Sequence, residues 1–168
     1  MDAVRSQDVV VAAGLFALGQ PHDGGQAALA RMLEMPRSRV SESVRRLADN
    51  GLYSRNLRRL RHARLLDFLT NGARWMFPAE PGPVTRGVPT SHAGPVLNER
   101  IAAGQAYVWP SEQGEVEGRA VEPIHPSVVP LALALPEAYK LLSLLDAMRV
   151  GRARERRLAG EALDEMLR

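Results

Sequence analysis

Residues 26–52 decide the fold of this chain, and they run QAALARMLEMPRSRVSESVRRLADNGL. Apolar residues at helical spacing predict a short helix over residues 26–34, and Pro36 prevents that helix from continuing. A second helix is predicted over residues 38–50, capped by its first residue and ended by Gly51. Two helices joined by a tight turn are typical of the helix-turn-helix motif, whose second helix enters the major groove of DNA.

The second of these helices has two chemically different faces. Val40, Val44 and Leu47 are spaced i, i+4 and i+7, so they form one apolar stripe that is suited to a protein core. The opposite arc carries side chains of the types that contact base edges and phosphates. It holds Ser38, Glu42, Arg45, Arg46 and Asp49, with Arg37, Arg39 and Ser41 at its leading end. This pattern predicts that the helix binds DNA.

Positive charge is concentrated around the same motif. The chain has 22 basic and 19 acidic residues, a net charge of only +3, yet residues 31–74 contain eleven arginines against four acidic residues. Lys140 is the one lysine of the whole chain. Arginine suits phosphates and guanine edges because its planar guanidinium donates in a fixed fork. A GC-rich genome is an alternative reason for choosing arginine over lysine, but it does not explain why the surplus lies in one segment.

The residues from Ala28 to Leu52 resemble the winged-helix bacterial transcriptional regulators of the broad MarR type. Those proteins share a short Leu-Ala helix, a Met/Ile-Ser turn, a Val-Ser pair in the recognition helix, and then Arg-Leu and Gly-Leu. A buried first helix, predicted over residues 8–18 with Ser6 or Asp8 as its cap, extends the resemblance. The resemblance implies DNA-facing positions for the following residues: Arg37, Ser38, Arg39, Ser41, Glu42 and Arg45.

The chain departs from this family immediately after the motif, where a winged helix continues with a basic two-stranded hairpin. Here the apolar spacing predicts another helix over residues 56–71, so the wing is either absent or built later, from residues 80–90. The basic face of this predicted helix would supply the phosphate contacts of a wing. A solvated helix face is the alternative. The candidate phosphate-binding residues are Arg55, Arg58 and Arg59, with Arg61 and Arg64 on the same face.

The middle of the chain is rich in proline and glycine, and residues 19–25 are predicted to form a turn. Short strands are predicted over residues 75–77, 84–88, 107–109 and 114–121. Residues 85–93 suit a ligand-contacting strand, a partner-docking edge or a well-packed irregular crossing. The aromatic residues of this region either line an effector pocket or anchor the core of a small α+β domain. They are Trp75, Tyr107 and Trp109.

Nothing in the sequence predicts catalysis, a metal site or a cofactor. The four histidines lack metal-ligand spacing, and there is no cysteine, phosphate-binding glycine loop or nucleophile elbow. Glu115 and Glu117 share one face of a predicted strand, a spacing that a plain half-buried strand also shows. We therefore expect a protein that is not an enzyme.

Two helices are predicted at the C-terminus, over residues 136–150 and 152–168. The first has more apolar surface than one helix face needs, which predicts a homodimer formed through the C-terminal half. Its apolar residues are Leu141, Leu142, Leu144, Leu145 and Met148. No apolar run is long enough to span a membrane and the N-terminus lacks a signal pattern, so we expect a cytoplasmic location.

Together these patterns predict a mainly α protein, α+β overall, in three consecutive segments. They are a helix-turn-helix domain over residues 1–72, an extended α+β region over 73–135 and dimerisation helices over 136–168. The expected function is sequence-specific binding of double-stranded DNA, and the resemblance to winged-helix regulators implies a regulator of transcription, which we expect to act as a repressor. The alternative is a helix-turn-helix module that binds protein, such as an antitoxin-like or complex-assembly subunit.

Overall fold

The computed structural model describes residues 1–19, 25–102 and 104–168. It is mainly α-helical with two small β-sheets, and it divides into two compact units. The first unit contains Met1–Leu65 and Ile124–Tyr139, and the second contains Leu66–Pro123 and Lys140–Arg168. The three consecutive segments expected from the sequence therefore do not correspond to these units, because residues 124–139 fold with the N-terminal part. The turn predicted over residues 19–25 lies mostly outside the described residues.

The first unit is built from helices and one small hairpin. Its helices are α1 (Ser6–Leu18), α2 (Gln26–Met32), α3 (Arg37–Asp49) and α6 (Val128–Ala134), and its strands are β1 (Tyr53–Ser54) and β2 (Arg59–Leu60). The buried first helix is confirmed, since every residue from Asp8 to Leu15 is buried. Asp8 also caps this helix, because its carboxylate accepts a hydrogen bond of 2.8 Å from the backbone N–H of Arg5.

The end of α3 is fixed by a glycine, as its sequence predicts. Gly51 has φ of 78°, a conformation that L side chains rarely adopt. Its N–H donates to the carbonyl oxygen of Ala48 at 3.0 Å, and the N–H of Leu52 donates to that of Leu47 at 2.8 Å. These two bonds form the Schellman motif, which satisfies the last carbonyl groups of the helix and turns the chain sharply.

The helix predicted over residues 56–71 is wrong in its first part. Tyr53 pairs with Leu60 and Ser54 with Arg59, so residues 53–60 form an antiparallel hairpin. Tyr53 and Leu60 are buried, which anchors the hairpin to the first unit. The helical stretch begins only afterwards and continues beyond its predicted end. It consists of α4 (His62–Asp67), a π-helical turn (Phe68–Gly72) and α5 (Ala73–Met76).

The second unit contains a small sheet in which each strand pairs with both of the others. The strands are β3 (Val84–Thr90), β4 (Tyr107–Pro110) and β5 (Val116–Ala120). β3 is antiparallel to its two neighbours, and β4 and β5 are parallel. The strands approach very closely at Gly87, where a Cβ atom would overlap the carbonyl oxygen of Trp109. The strand predicted over residues 75–77 is wrong, since Trp75 and Met76 end α5.

A buried carboxylate joins this sheet to a helix of the same unit. The Asp146 carboxylate accepts hydrogen bonds from the Thr90 hydroxyl (2.7 Å), the Trp109 indole N–H (2.5 Å) and the Arg149 guanidinium (2.7 Å). Burial raises the pKa of Asp146, while the positive charge of Arg149 opposes that rise. Trp109 is therefore a core anchor, whereas Trp75 is 72% exposed and is not.

The C-terminal helices are α7 (Pro136–Val150) and α8 (Ala153–Met166), close to their predicted bounds. All residues from Leu141 to Met148 are buried within the chain. The apolar surface from which the sequence predicted a dimer is therefore already used inside one molecule. A helical stretch that is buried on every side packs in a core, so these leucines offer no free surface for a second chain.

Candidate nucleic-acid interface

The outer face of α3 carries six of the residues that the sequence assigned to DNA. Val40 and Leu47 are fully buried, so they hold the helix against the first unit. The hydroxyl of Ser41 donates to the Gln26 side chain at 2.8 Å and so links α3 to the start of α2. The exposed residues of this face are Arg37, Ser38, Arg39, Ser41, Glu42 and Arg45.

Arg46 lies on the opposite side of α3 from the position that the sequence predicted. Its side chain is only 6% exposed and forms an ion pair with Asp8 of α1. Nε and Nη2 of Arg46 donate to the carboxylate at distances of 2.8 to 3.1 Å, and Nη2 also lies 3.4 Å from the Ser43 hydroxyl. The hydrogen bond with Asp8 raises the pKa of Arg46 despite its burial. Arg46 therefore supports the helix and does not face a ligand.

Other polar side chains reinforce the contact between α1 and α3. The Gln7 amide donates to the Ser43 hydroxyl at 2.8 Å and to the backbone carbonyl of Arg39 at 3.3 Å. The Asn50 amide donates to the backbone carbonyl of Asp2 at 2.8 Å. These hydrogen bonds hold α3 on α1 and tie the residue after α3 to the segment before α1, so they help to orient the exposed face of α3.

The hairpin follows α3 directly and is strongly basic. All residues of its loop, 55–58, are exposed, and so is Arg59 of β2. The Arg55 guanidinium donates to the Asp49 carboxylate at 2.7 Å, which ties the loop to the last residue of α3. The three arginines expected to bind phosphates are thus all exposed, but they lie on a hairpin and not on a helix. They are Arg55, Arg58 and Arg59.

A concave pocket of about 400 Å³ lies beside the hairpin. Two exposed arginines, Arg59 and Arg61, line it, and Leu57 forms part of its wall. The sequence did not predict this pocket because it exists only when residues 53–60 form a hairpin. Its lining residues are Ser54, Leu57, Arg59, Leu60, Arg61 and His62.

His125 is a residue near α3 that the sequence analysis did not connect with it. Burial lowers the pKa of His125, and the positive charge of Arg39 lowers it further. The neighbouring Ser127 donates to the backbone carbonyl of Leu33 at 2.6 Å, so this segment is held against the end of α2. No spacing rule could have found this proximity, since 86 positions separate Arg39 from His125 along the chain.

The described residues contain no group of three or more metal-ligating side chains. His22 lies outside the described residues, and the acidic residues Glu112, Glu115 and Glu117 are exposed. Within the same ranges, no helix has both the length and the apolar character that crossing a membrane requires.

The resemblance to winged-helix regulators rests on residues 28–52 alone, because comparisons with known proteins add no support for it. Neither a family model, nor a curated protein, nor a solved structure matches this chain.

Proposed function

We propose that this protein is a sequence-specific regulator of transcription that binds double-stranded DNA in the bacterial cytoplasm and acts as a repressor. The observation that carries the proposal is the exposed polar face of α3 followed at once by a basic hairpin. Three helices and then a hairpin is the order of elements in a winged helix, the fold that residues 28–52 resemble. In this proposal α3 enters the major groove and the hairpin serves as the wing.

The charge of this surface supports a polyanionic partner. No acidic residue occurs between Asn50 and Leu66, whereas five arginines do. Each phosphate that such an arginine neutralises releases counterions, so binding should weaken steeply as salt rises. The ion pair of Arg55 with Asp49 is solvent-exposed and worth about 0–1 kcal/mol, so it opposes phosphate binding only weakly.

The two parts of the surface have different roles in this proposal. Arg39 and Arg45 contact guanine edges, and Glu42 accepts a hydrogen bond from a cytosine amino group. Ser38 and Ser41 contact base edges or phosphates near the start of α3. The arginines of the hairpin hold the backbone of the duplex. Arg46 has no such role because its guanidinium is occupied by Asp8.

Binding to DNA fragments from the protein's own genomic locus, measured at two salt concentrations, tests the proposal. We expect one fragment to be selected, with affinity that falls as salt rises. Arg39→Ala and Arg45→Ala should each lose about 1–3 kcal/mol of discrimination at particular base pairs. Arg58→Ala and Arg59→Ala should instead weaken binding to all sequences alike.

Arg154→Ala is a matched control, because Arg154 is an exposed arginine of α8 in the second unit. It should bind DNA like the parent protein. Selection that is unchanged in both α3 variants would show that α3 does not recognise the bases. Absence of binding to every fragment would overturn the DNA-binding proposal as a whole.

We also propose that the DNA-bound form is a homodimer, because helix-turn-helix proteins commonly bind two half-sites about one helical turn apart. The buried leucines of α7 do not supply its interface, so the contact must use other residues. Light scattering of the protein bound to its selected fragment should give two chains per duplex. A single chain per duplex would contradict the dimer and leave DNA binding intact.

Binding to another protein is the second candidate function. It is favoured by Trp75 and Met76, which are 72% and 45% exposed at the end of α5. Exposed aromatic residues are enriched where proteins contact one another. The DNA-binding experiment separates the two candidates, since a purely protein-binding module selects no fragment.

A further inference from the structure

Leu57 is an apolar residue at the tip of the basic hairpin. It is the third residue of the loop over residues 55–58, and its side chain is 56% exposed. Its backbone N–H donates to the Ser54 hydroxyl at 3.3 Å, and the next residue, Arg58, has φ of 49°. An isolated exposed leucine is ordinary on a protein surface. What distinguishes Leu57 is its setting, because every other residue of the loop is polar or basic.

This setting suits one class of partner. An apolar tip surrounded by arginines is complementary to a surface that combines negative charge with stacked, weakly polar bases. The minor groove of DNA offers both, because phosphates line its edges and base pairs form its floor. Proteins that bind this groove commonly insert an apolar side chain such as leucine between base pairs, which unstacks them and bends the duplex.

The pocket beside the hairpin tip also suits contact with the minor groove of DNA. Leu57 lines this recess of about 400 Å³ together with the basic residues Arg59 and Arg61. When the tip of a hairpin enters a groove, a sugar–phosphate strand must pass along its side. A concave surface with two positive charges accommodates such a strand.

The hairpin has the anchoring that this contact needs. Its base is closed by the hydrogen bond from the Arg61 N–H to the carbonyl oxygen of Leu52 (2.8 Å), and the buried side chains of Tyr53 and Leu60 hold it on the first unit.

We propose that Leu57 inserts between base pairs in the minor groove next to the major groove that α3 occupies, and that this insertion bends the DNA. The proposal rests on the proposed DNA-binding function and adds to it a deformation of the DNA. It also predicts a preference for a pyrimidine–purine step at the insertion site, because such steps unstack most easily.

The test uses the full-length protein and the DNA fragment selected from its own locus. Fluorescence resonance energy transfer between dyes at the two ends of the duplex reports bending, and a 2-aminopurine base placed along the site reports unstacking. The parent protein should increase both signals. Leu57→Ala should still select the fragment, bind about ten-fold more weakly and produce neither bend nor unstacking.

Two further variants make the result specific. Leu57→Phe retains an apolar wedge and should restore both signals. Leu133→Ala is the matched control, since Leu133 of α6 is 50% exposed and lies outside the basic hairpin; it should behave like the parent protein. If Leu57→Ala bends and unstacks the duplex as much as the parent protein does, the wedge proposal alone is overturned. The same holds if the duplex stays straight and stacked in the complex with the parent protein. A parent protein that binds no fragment overturns the DNA-binding proposal and the wedge with it.

Discussion

Replacing Asp8 by alanine removes one partner of the buried ion pair that connects α1 to α3. The carboxylate is fully buried and the Arg46 side chain is 6% exposed, so the guanidinium would be left without its counterion in a nearly dry site. Breaking a buried pair in this way typically costs about 3–5 kcal/mol. The variant also loses the hydrogen bond by which Asp8 caps α1, worth about 1 kcal/mol. We expect the free energy of unfolding to fall by about 4–6 kcal/mol, measured by urea denaturation followed by circular dichroism.

The solvent-exposed pair of Asp49 with Arg55 provides the control. Their side chains are 37% and 60% exposed, so Asp49→Ala should change the free energy of unfolding by no more than about 1 kcal/mol. The double variant Asp8→Ala, Arg46→Ala should cost less than the sum of the two single changes, because it removes the isolated charge. A loss below about 1 kcal/mol in Asp8→Ala would refute the reasoning, since it would mean that water reaches Arg46 freely.

Three other substitutions test the packing of the second unit and the surroundings of a tyrosine. Gly87→Ala should lower the free energy of unfolding by about 3 kcal/mol or more, because the new Cβ atom overlaps the Trp109 carbonyl group. Gly160 lies in open space on α8, so Gly160→Ala should instead raise the free energy of unfolding by about 0.5–1 kcal/mol. Equal melting temperatures for these two variants would contradict the tight strand approach. Burial raises the pKa of Tyr139 from 10.0 to about 12. The contribution of the neutral phenol to stability is therefore fully present below pH 10 and is lost as the pH rises from 10 to about 12. In an absorbance titration, Tyr139→Phe should lack the transition near pH 12, and its persistence would assign that pKa to another tyrosine.

Sequence patterns predicted the long helices well because their apolar spacing is regular. In α3, Val40 and Leu47 of the predicted stripe are buried and Val44 is half-buried, and the predicted cap at Gly51 is present. The hairpin could not be predicted in the same way. Each of its strands has two residues, which is too short for any alternation to appear, and leucines at positions 57, 60 and 65 mimic helical spacing.

The misplacement of Arg46 had a different origin. A helical wheel treats every arginine as exposed, yet α1 contains a carboxylate, Asp8, beside a run of buried valines. A buried carboxylate requires a positive partner or several hydrogen-bond donors, so Asp8 was the signal that one arginine must face inward. Which arginine it was could not be known without the packing of α1 on α3. The DNA-facing residues themselves were predicted by residue type and position, and their role is the subject of the proposed experiments.

The three-stranded sheet of the second unit bears on how this protein behaves at high concentration. In most small sheets two outer strands leave rows of N–H and C=O groups that can recruit another chain and start aggregation. Here β3, β4 and β5 each pair with both of the others, so within the described residues none of the three is an ordinary edge strand. Glycines at the crossing points make that closure possible. Gly87, Tyr107, Val108 and Arg119 have partners on both sides, so another chain that extends this sheet must pair with the remaining strand residues, each of which is paired on one side.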